Sequence, residues 1–217
     1  MTSFMIYLAV GIASYLLGSI PWGYIFVKLT TGKDIRRIES GRTGGTNTMR
    51  ATNFWWGFVT SVLDILKSAS TVWVARFAAP HQIWLHILAP VLAIVGHNYS
   101  AYLIERDEKG RMKMHGGAGG APATGGAIGL WWPSVFILIP LGLLIVFGVG
   151  YASIATMSLP LIAAGVFLYR ALRFGAPWEY MLFALMAEAL ILWALRPNLQ
   201  RLIQGNERVV GWRAKKG

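Results

Sequence analysis

The chain has 217 residues, of which 55% are apolar and only 13% carry a charge. This balance, together with ten tryptophans and eight tyrosines, excludes an ordinary soluble globular domain and indicates an integral membrane protein. The absence of cysteine excludes disulfides and thiolate chemistry. The net charge of +11 does not indicate a nucleic-acid-binding protein, because the basic residues are separated by apolar runs.

Apolar runs of about the length needed to cross a bilayer, roughly 20 residues, recur along the chain. Six are clear: residues 4–27, 54–75, 83–104, 133–150, 152–172 and 177–195. A seventh, residues 118–132, is shorter and rich in glycine and alanine, as expected of a small-residue helix packed inside a bundle. Pro21 is expected to kink the first helix. With no internal repeat and no soluble segment, residues 1–217 are predicted to form one membrane domain.

The positions of lysine and arginine indicate how many of these runs cross the membrane. With seven spans and the N-terminus outside, the polar segments 28–53 and 105–115 and the tail from Arg196 all lie in the cytoplasm. Nearly all basic residues are then inside, as the positive-inside rule requires, whereas six spans would place the basic tail outside. We therefore predict an all-α integral membrane protein with seven transmembrane helices, an external N-terminus and a cytoplasmic C-terminus.

The polar segment after the first span contains a run without apolar side chains: Ser40, Gly41, Arg42, Thr43, Gly44, Gly45, Thr46 and Asn47. Its glycines allow backbone N–H groups to turn toward one point, and its short side chains add hydrogen-bond donors. Arg42 and the following Arg50 add positive charge. The pattern is typical of an anion-binding loop, but its composition alone is equally common in ordinary loops.

Two charged residues lie inside the second apolar run. Asp64 and Lys67 are three residues apart and share one face of the predicted helix. A charge at that depth costs about 2.5–3.5 kcal/mol on insertion scales, so both are expected to face protein or water and to be able to pair with each other. Two roles remain open for them: a structural ion pair, and a pair that supports a functional site.

Several motifs occur in the order found in one known family. They are residues 18–24 (GSIPWGY), 34–36 (DIR), 40–47 (SGRTGGTN) with Arg50, 64–67 (DILK), 96–100 (GHNYS), 198–202 (NLQRL) and 205–207 (GNE). Together they resemble the signatures of the bacterial acyl-phosphate:glycerol-3-phosphate acyltransferases, the PlsY family. Each motif is weak alone, but the ordered set is specific and covers nearly the whole chain.

This resemblance implies a seven-helix membrane enzyme of phospholipid synthesis that transfers a fatty acyl group from acyl phosphate to the 1-hydroxyl of glycerol 3-phosphate, giving lysophosphatidic acid and phosphate. It implies a site on the cytoplasmic side of a bacterial inner membrane, with these two small molecules and the lipid bilayer as partners and with no cofactor or metal. The implied catalytic residues are Ser40, Arg50, His97, Asn198 and Glu207. The implied phosphate-binding residues are Gly41, Arg42, Thr43, Gly44, Gly45, Thr46, Asn47, Lys67, Gly116, Gly117, Thr124 and Arg201.

The chain departs from the family pattern at two positions. The family's second signature reads Gly-Gly-Lys-Gly-Val-Ala-Thr, but residues 115–124 read HGGAGGAPAT and contain no lysine. Loss of that positive group is expected to weaken stabilisation of phosphate or transition-state charge, with Lys113 or His115 as candidate replacements. Leu195 stands where the family has a histidine, and residues 107–113 resemble an insertion.

These departures leave two other hypotheses open. One is a catalytically altered relative that binds the same ligands without turning them over, or that uses another acceptor. The other is a transporter of a phosphorylated solute, which is favoured only by the polar groups within helices and disfavoured by the absence of a visible repeat.

Overall fold

The computed structural model describes residues 2–106 and 109–210, and these residues are almost entirely helical. The described helices are α1 (Thr2–Ser19), α2 (Trp22–Thr31), α3 (Gly45–Ala51), α4 (Phe54–Ala78), α5 (Ile83–Asn98), α6 (Gly120–Leu130), α7 (Val135–Val149), α8 (Ala152–Phe174) and α9 (Glu179–Ile203). Short 3₁₀ helices cover Ile35–Arg37 and Trp132–Ser134, and β1 (Ile104–Arg106) pairs with β2 (Met112–Met114). The ends of the predicted domain, residue 1 and residues 211–217, lie outside the described residues.

Five helical stretches in the described chain are long and apolar enough to cross a membrane: Phe4–Thr31, Phe54–Ala78, Trp132–Val149, Ala152–Phe174 and Glu179–Ile203. α5 is apolar but shorter. α6 has 11 residues, about 16 Å of helix against a hydrocarbon core of about 30 Å. Large apolar side chains remain exposed on the outside of the bundle, including Phe136 at 69% and Leu144 at 66%. The protein is therefore a multi-pass membrane protein.

The first apolar run forms two helices. α1 ends at Ser19 and α2 begins at Trp22, because Pro21 has no N–H to continue the helix and restricts the backbone of Ile20. The kink predicted at Pro21 is thus a complete break. The break removes the carbonyl of Ile20 from the helical ladder, and the ammonium group of Lys67 on α4 donates to it over 2.8 Å.

α6 lies at the centre of the bundle, packed against α4, α5, α8 and α9. Residues 122–127 of this helix are all buried. A Cβ added at Gly125 would lie 2.1 Å from the carbonyl oxygen of Ile65, so glycine is what allows α4 to approach this closely. The predicted small-residue helix inside a bundle is confirmed. The surrounding core contains Val72, Ile87, Ile94, Phe167, Phe183 and Ile191.

The described chain is helical as predicted, and the short β1–β2 hairpin corrects only the predicted end of the third apolar run. The third apolar run was expected to remain helical to about residue 104, but α5 ends at Asn98. The chain turns there because the N–H of Ser100 donates to the carbonyl of His115 and its hydroxyl donates to the carbonyl of Ser19 over 2.6 Å. Residues 104–106 then pair with residues 112–114. Asp107 and Glu108, the start of the predicted insertion, lie outside the described residues.

Candidate active site

Segments that are far apart in the sequence line one cleft of about 280 Å³. Its walls are formed by residues 40–50, by the glycine run that leads into α6, by the start of α8, and by the end of α9 with the residues after it. The predicted site residues that line it are Ser40, Arg42, Gly44, Gly45, Thr46, Asn47, Arg50, His97, Thr124, Asn198 and Glu207.

Asn47 organises the loop of residues 40–47. Its buried side-chain amide donates to the carbonyl of Arg42 over 2.8 Å and to the carbonyl of Ile38 over 3.0 Å. Its side-chain oxygen accepts from the N–H of Ser40 over 3.4 Å. Both hydrogens of the amide are therefore used within the loop. Asn47 holds the loop in shape, and the loop presents Ser40 and Arg42 to the cleft.

Several predicted phosphate-binding residues connect the walls of the cleft without lining it. The N–H of Thr43 donates to the carbonyl of Gly116 over 3.1 Å, and the N–H of Gly117 donates to the carbonyl of His97 over 2.8 Å. These bonds join the 40–47 loop, the glycine run and the end of α5. Gly41 turns the loop with a φ of +68°, a conformation that favours glycine.

A chain of polar contacts crosses the mouth of the cleft. Nη2 of Arg42 donates to Oδ1 of Asn198 over 3.1 Å and also contacts the carbonyl of Ala194. Nδ2 of Asn198 donates to Oε1 of Glu207 over 2.7 Å, and Nε of Arg201 donates to Oε2 of Glu207 over 2.9 Å. Arg201 does not line the cleft, and its guanidinium pairs with the carboxylate of Glu207.

Three arginines line the cleft: Arg42, Arg50 and Arg208. Burial lowers the pKa of both the Arg42 and the Arg50 guanidinium below its ordinary value, and the positive charge of Arg208 contributes to the lowering in each case. Arginine stays protonated in proteins, so these groups concentrate like charges at the cleft mouth. Sequence reasoning missed Arg208, although it directly follows the predicted residue Glu207.

Asp64, Lys67 and His97 form a buried cluster beneath the cleft. Nζ of Lys67 lies 2.7 Å from Oδ1 of Asp64, and the two form an ion pair without good hydrogen-bond geometry. The same Nζ lies 3.1 Å from Nδ1 of His97. The pairing predicted from the three-residue spacing is confirmed. Asp64 and His97 line the cleft, whereas Lys67 lies behind them and contacts the Ile20 carbonyl. Lys67 therefore neutralises Asp64 and orients His97, and does not reach the cleft where phosphate was expected to bind.

The other end of the cleft is apolar. It is lined by Leu138, Ile139, Leu143 and Val146 of α7, Leu159 of α8 and Leu195 of α9. The cleft therefore joins a cationic mouth to a hydrocarbon wall. Ser153 and Thr156, near the start of α8, also line it, and the hydroxyl of Ser153 donates to Glu207 over 3.3 Å. Sequence reasoning missed these positions because they lie within an apolar span and form no motif.

The glycine run contributes no positive charge to the cleft. Ala118, which stands where the family pattern has a lysine, lines the wall. Neither candidate replacement does. Lys113 is exposed on β2 opposite Glu105, and Nε2 of His115 lies 3.2 Å from Oε2 of Glu105. The expectation that one of these two residues replaces the lysine is therefore not supported by their positions.

A cationic mouth joined to an apolar wall, within a bundle of membrane-spanning helices, is the arrangement expected of a membrane protein that binds a ligand with both a negative charge and a hydrocarbon chain. The family model for glycerol-3-phosphate acyltransferase matches residues 8–205. The chain belongs to the glycerol-3-phosphate acyltransferase family and is a membrane acyltransferase.

Relatives and solved structures support this assignment over nearly the whole chain. Glycerol-3-phosphate acyltransferase 2 of Moorella thermoacetica is 34% identical over 203 residues, covering 94% of this chain and 97% of the relative. A glycerol-3-phosphate acyltransferase of Thermus thermophilus is 36% identical over 204 residues, covering 93% and 94%. The crystal structure of PlsY, an integral membrane glycerol 3-phosphate acyltransferase, in its glycerol 3-phosphate form superposes with a TM-score of 0.79 at 28% identity, covering 94% and 96%. Its lysophosphatidic acid form gives 0.78 at 27% identity, covering 94% and 95%.

Proposed function

We propose that the protein transfers a fatty acyl group from acyl phosphate to the 1-hydroxyl of glycerol 3-phosphate, giving lysophosphatidic acid and phosphate. The observation that carries this proposal is the single cleft that joins three arginines to an apolar wall. Glycerol 3-phosphate is a small anion, and acyl phosphate is an anion with a hydrocarbon tail. The two ends of this cleft match the charge and the hydrocarbon tail of these two substrates. The glycerol 3-phosphate and lysophosphatidic acid forms of the similar PlsY structure support the same pair of acceptor and product.

In this proposal the cleft mouth binds phosphate. Arg42 and Arg50 provide charge, and the backbone of Gly44, Gly45 and Thr46 provides the surrounding surface. The first N–H groups of α6, which have no partner within the helix, lie beside the same cleft and add donors. The acyl chain lies along α7, against Leu138 and its apolar neighbours. Thr124 lines the cleft one turn into α6.

The chemistry needs no covalent enzyme intermediate, because acyl phosphate already carries a good leaving group. The 1-hydroxyl oxygen of glycerol 3-phosphate forms a bond to the acyl carbon, and the bond from that carbon to the phosphate oxygen breaks. Phosphate leaves with the electron pair, and the hydroxyl proton passes to a phosphate oxygen. In this proposal Ser40 and His97, which line the cleft, hydrogen-bond the reacting oxygens, while Asn198 and Glu207 position Arg42. The protein contributes mainly alignment and charge stabilisation.

The same proposal places the site on the cytoplasmic side of a bacterial inner membrane, with seven crossings and an external N-terminus. This count treats α1 with α2 as one crossing and α5 and α6 as short crossings. It puts the polar segments 28–53 and 105–115 and the tail on one side, in agreement with the positive-inside rule.

Turnover is tested with purified protein supplied with acyl phosphate and glycerol 3-phosphate. We expect phosphate and lysophosphatidic acid to be released in equal amounts, and no lysophosphatidic acid when glycerol 3-phosphate is omitted. Arg50→Gln should strongly reduce both products. Absence of both products, in an assay where a known family member works, would contradict the proposal.

The topology is tested by single-cysteine labelling of intact cells, because the natural chain has no cysteine. Lys33→Cys and Gln204→Cys, at exposed positions, should be protected from an impermeant reagent. His81→Cys, at an exposed position between α4 and α5, should react. Labelling of all three from the same side would contradict seven crossings.

A further inference from the structure

The residues that follow α9 return over the mouth of the cleft. We call residues 206–210 the C-terminal strap. The N–H of Val210 donates to the carbonyl of Gly150 over 2.8 Å, and the carbonyl of Val209 accepts from Nη2 of Arg50 over 3.3 Å. Glu207 is held by Asn198 and Arg201, as described above. These anchors place the intervening residue, Arg208, in the lining of the cleft.

Within the part of the chain that the structure describes, Arg208 makes its polar contacts with Glu39. Its Nε lies 3.4 Å from a carboxylate oxygen of Glu39, and its Nη2 donates to the backbone carbonyl of the same residue over 3.0 Å. The two side chains are 35% and 49% exposed, so water screens the ion pair. A guanidinium carries five N–H donors in a planar fork, and these two contacts leave donors available for an anion.

The charge balance of the cleft points to an anion at this position. Arg42 and Arg50 are partly committed to protein oxygens, namely the side chain of Asn198 and the carbonyl of Val209. Arg208 adds a third positive charge that repels both of them, and the carboxylates of Glu207 and Glu39, which already pair with Arg201 and Arg208, oppose this repulsion. A bound dianion relieves this repulsion. Two phosphate groups meet in the proposed reaction, and the glycine run supplies no cation to either.

We propose that Arg208 binds a substrate phosphate at the mouth of the cleft and supplies, from the C-terminal strap, the positive charge that the 116–124 glycine run lacks. The inference rests on the proposed function. It gives the strap a role in substrate binding, in addition to its packing against Gly150 and Arg50. Substrate competes with Glu39 for the guanidinium, so the weak ion pair exchanges for a phosphate contact.

Steady-state kinetics of Arg208→Gln and Arg208→Lys test the proposal, with glycerol 3-phosphate and acyl phosphate varied separately. We expect Arg208→Gln to raise the KM of one substrate about 10- to 100-fold with a smaller change in kcat, because one charge-assisted contact is lost. Arg208→Lys should recover most of the affinity. Arg196→Gln is the matched control. The guanidinium carbon of Arg196 lies 3.4 Å from the ring centroid of Trp193, and Arg196 does not line the cleft. The KM values of the Arg196→Gln variant should therefore equal those of the natural protein.

Two further variants separate binding from a purely structural contact. Ala118→Lys places an ammonium on the wall formed by the glycine run, and in the Arg208→Gln background it should lower the raised KM by at least about tenfold. Glu39→Gln removes the competing carboxylate and should leave the KM unchanged or lower it. If Arg208 only tied the strap to residue 39, through the ion pair and through the backbone carbonyl that Glu39→Gln leaves in place, Ala118→Lys would not rescue the defect of Arg208→Gln.

The outcomes also separate this inference from the proposed function. An inactive natural protein overturns the proposed function itself. An active natural protein whose KM values are unaffected by Arg208→Gln overturns only the role of Arg208. Thermal unfolding of each variant shows whether the chain still folds, and a folded Arg208→Gln variant with unaltered KM values counts against the proposal.

Discussion

Nη2 of Arg42 donates to Oδ1 of Asn198 over 3.1 Å, which joins two residues 156 positions apart in the chain. This contact ties the 40–47 loop near the N-terminus to α9 near the C-terminus. Asn198 in turn donates to Glu207, so one polar chain fixes the position of Arg42 at the cleft mouth. The cleft exists only when both ends of the protein are in place.

Arg42→Lys should therefore reduce activity although it keeps the charge. Both of these contacts use Nη2 of Arg42, so the guanidinium keeps three further N–H donors for a phosphate, whereas a lysine that made the same two contacts would keep only one. We expect kcat/KM to fall by about 10- to 100-fold in a phosphate-release assay. Arg37→Lys is the control, since Arg37 is exposed and does not line the cleft. Equal activity of the two variants would argue against the importance of the fork.

Gly117→Ala should damage the site through His97. A Cβ at residue 117 would lie 1.9 Å from Nε2 of His97, so the imidazole or the glycine run must move. Misplacement of a reacting group by about 1 Å can reduce a rate roughly 100-fold. Gly165→Ala is the control, because a Cβ there meets nothing within 4 Å and a helical alanine is favoured over glycine. The expected result is low activity for the first variant and normal activity for the second.

Lys67→Met should lower stability strongly. It leaves the Asp64 carboxylate buried without its cation, and breaking a buried pair in this way costs about 3–5 kcal/mol. The double variant Asp64→Asn/Lys67→Met should recover much of the loss, as measured by thermal unfolding in detergent. We expect the double variant to remain poorly active, because Nδ1 of His97 loses its donor. Recovery of activity together with stability would assign the pair a structural role only.

His115 should make stability depend on pH. Burial lowers the pKa of its imidazole below the ordinary value of 6.5, and the positive charges of Lys113 and Arg36 lower it further, although the Glu105 carboxylate opposes them. The unfolded chain therefore takes up a proton at a higher pH than the folded protein, so folding stability falls as the pH decreases through 6.5 toward the lowered pKa.

His115→Gln removes this dependence. The variant should gain stability relative to the natural protein on going from about pH 7.5 to about pH 5.5, as measured by the difference in melting temperature. The comparison isolates His115, since the remaining titratable groups are common to both proteins. A difference in melting temperature that is the same at both pH values would contradict the prediction.

The amino-acid sequence by itself determined the features that depend on local pattern. Run lengths and hydropathy placed the membrane helices, and three-residue spacing placed Asp64 and Lys67 on one face, where they pair. Proline chemistry located the break at Pro21. These predictions succeed because helical periodicity and backbone restriction act over a few residues.

Only the tertiary structure decided which donor meets which acceptor. Lys67 contacts the carbonyl freed at Ile20, the amide of Asn47 is used inside its own loop, and the strap brings Arg208 to the cleft. Composition marked these residues as polar or basic, but their roles depend on which segments the fold brings into contact. The physical reason is that a buried polar group must be paired, and packing determines which partner lies within hydrogen-bond distance.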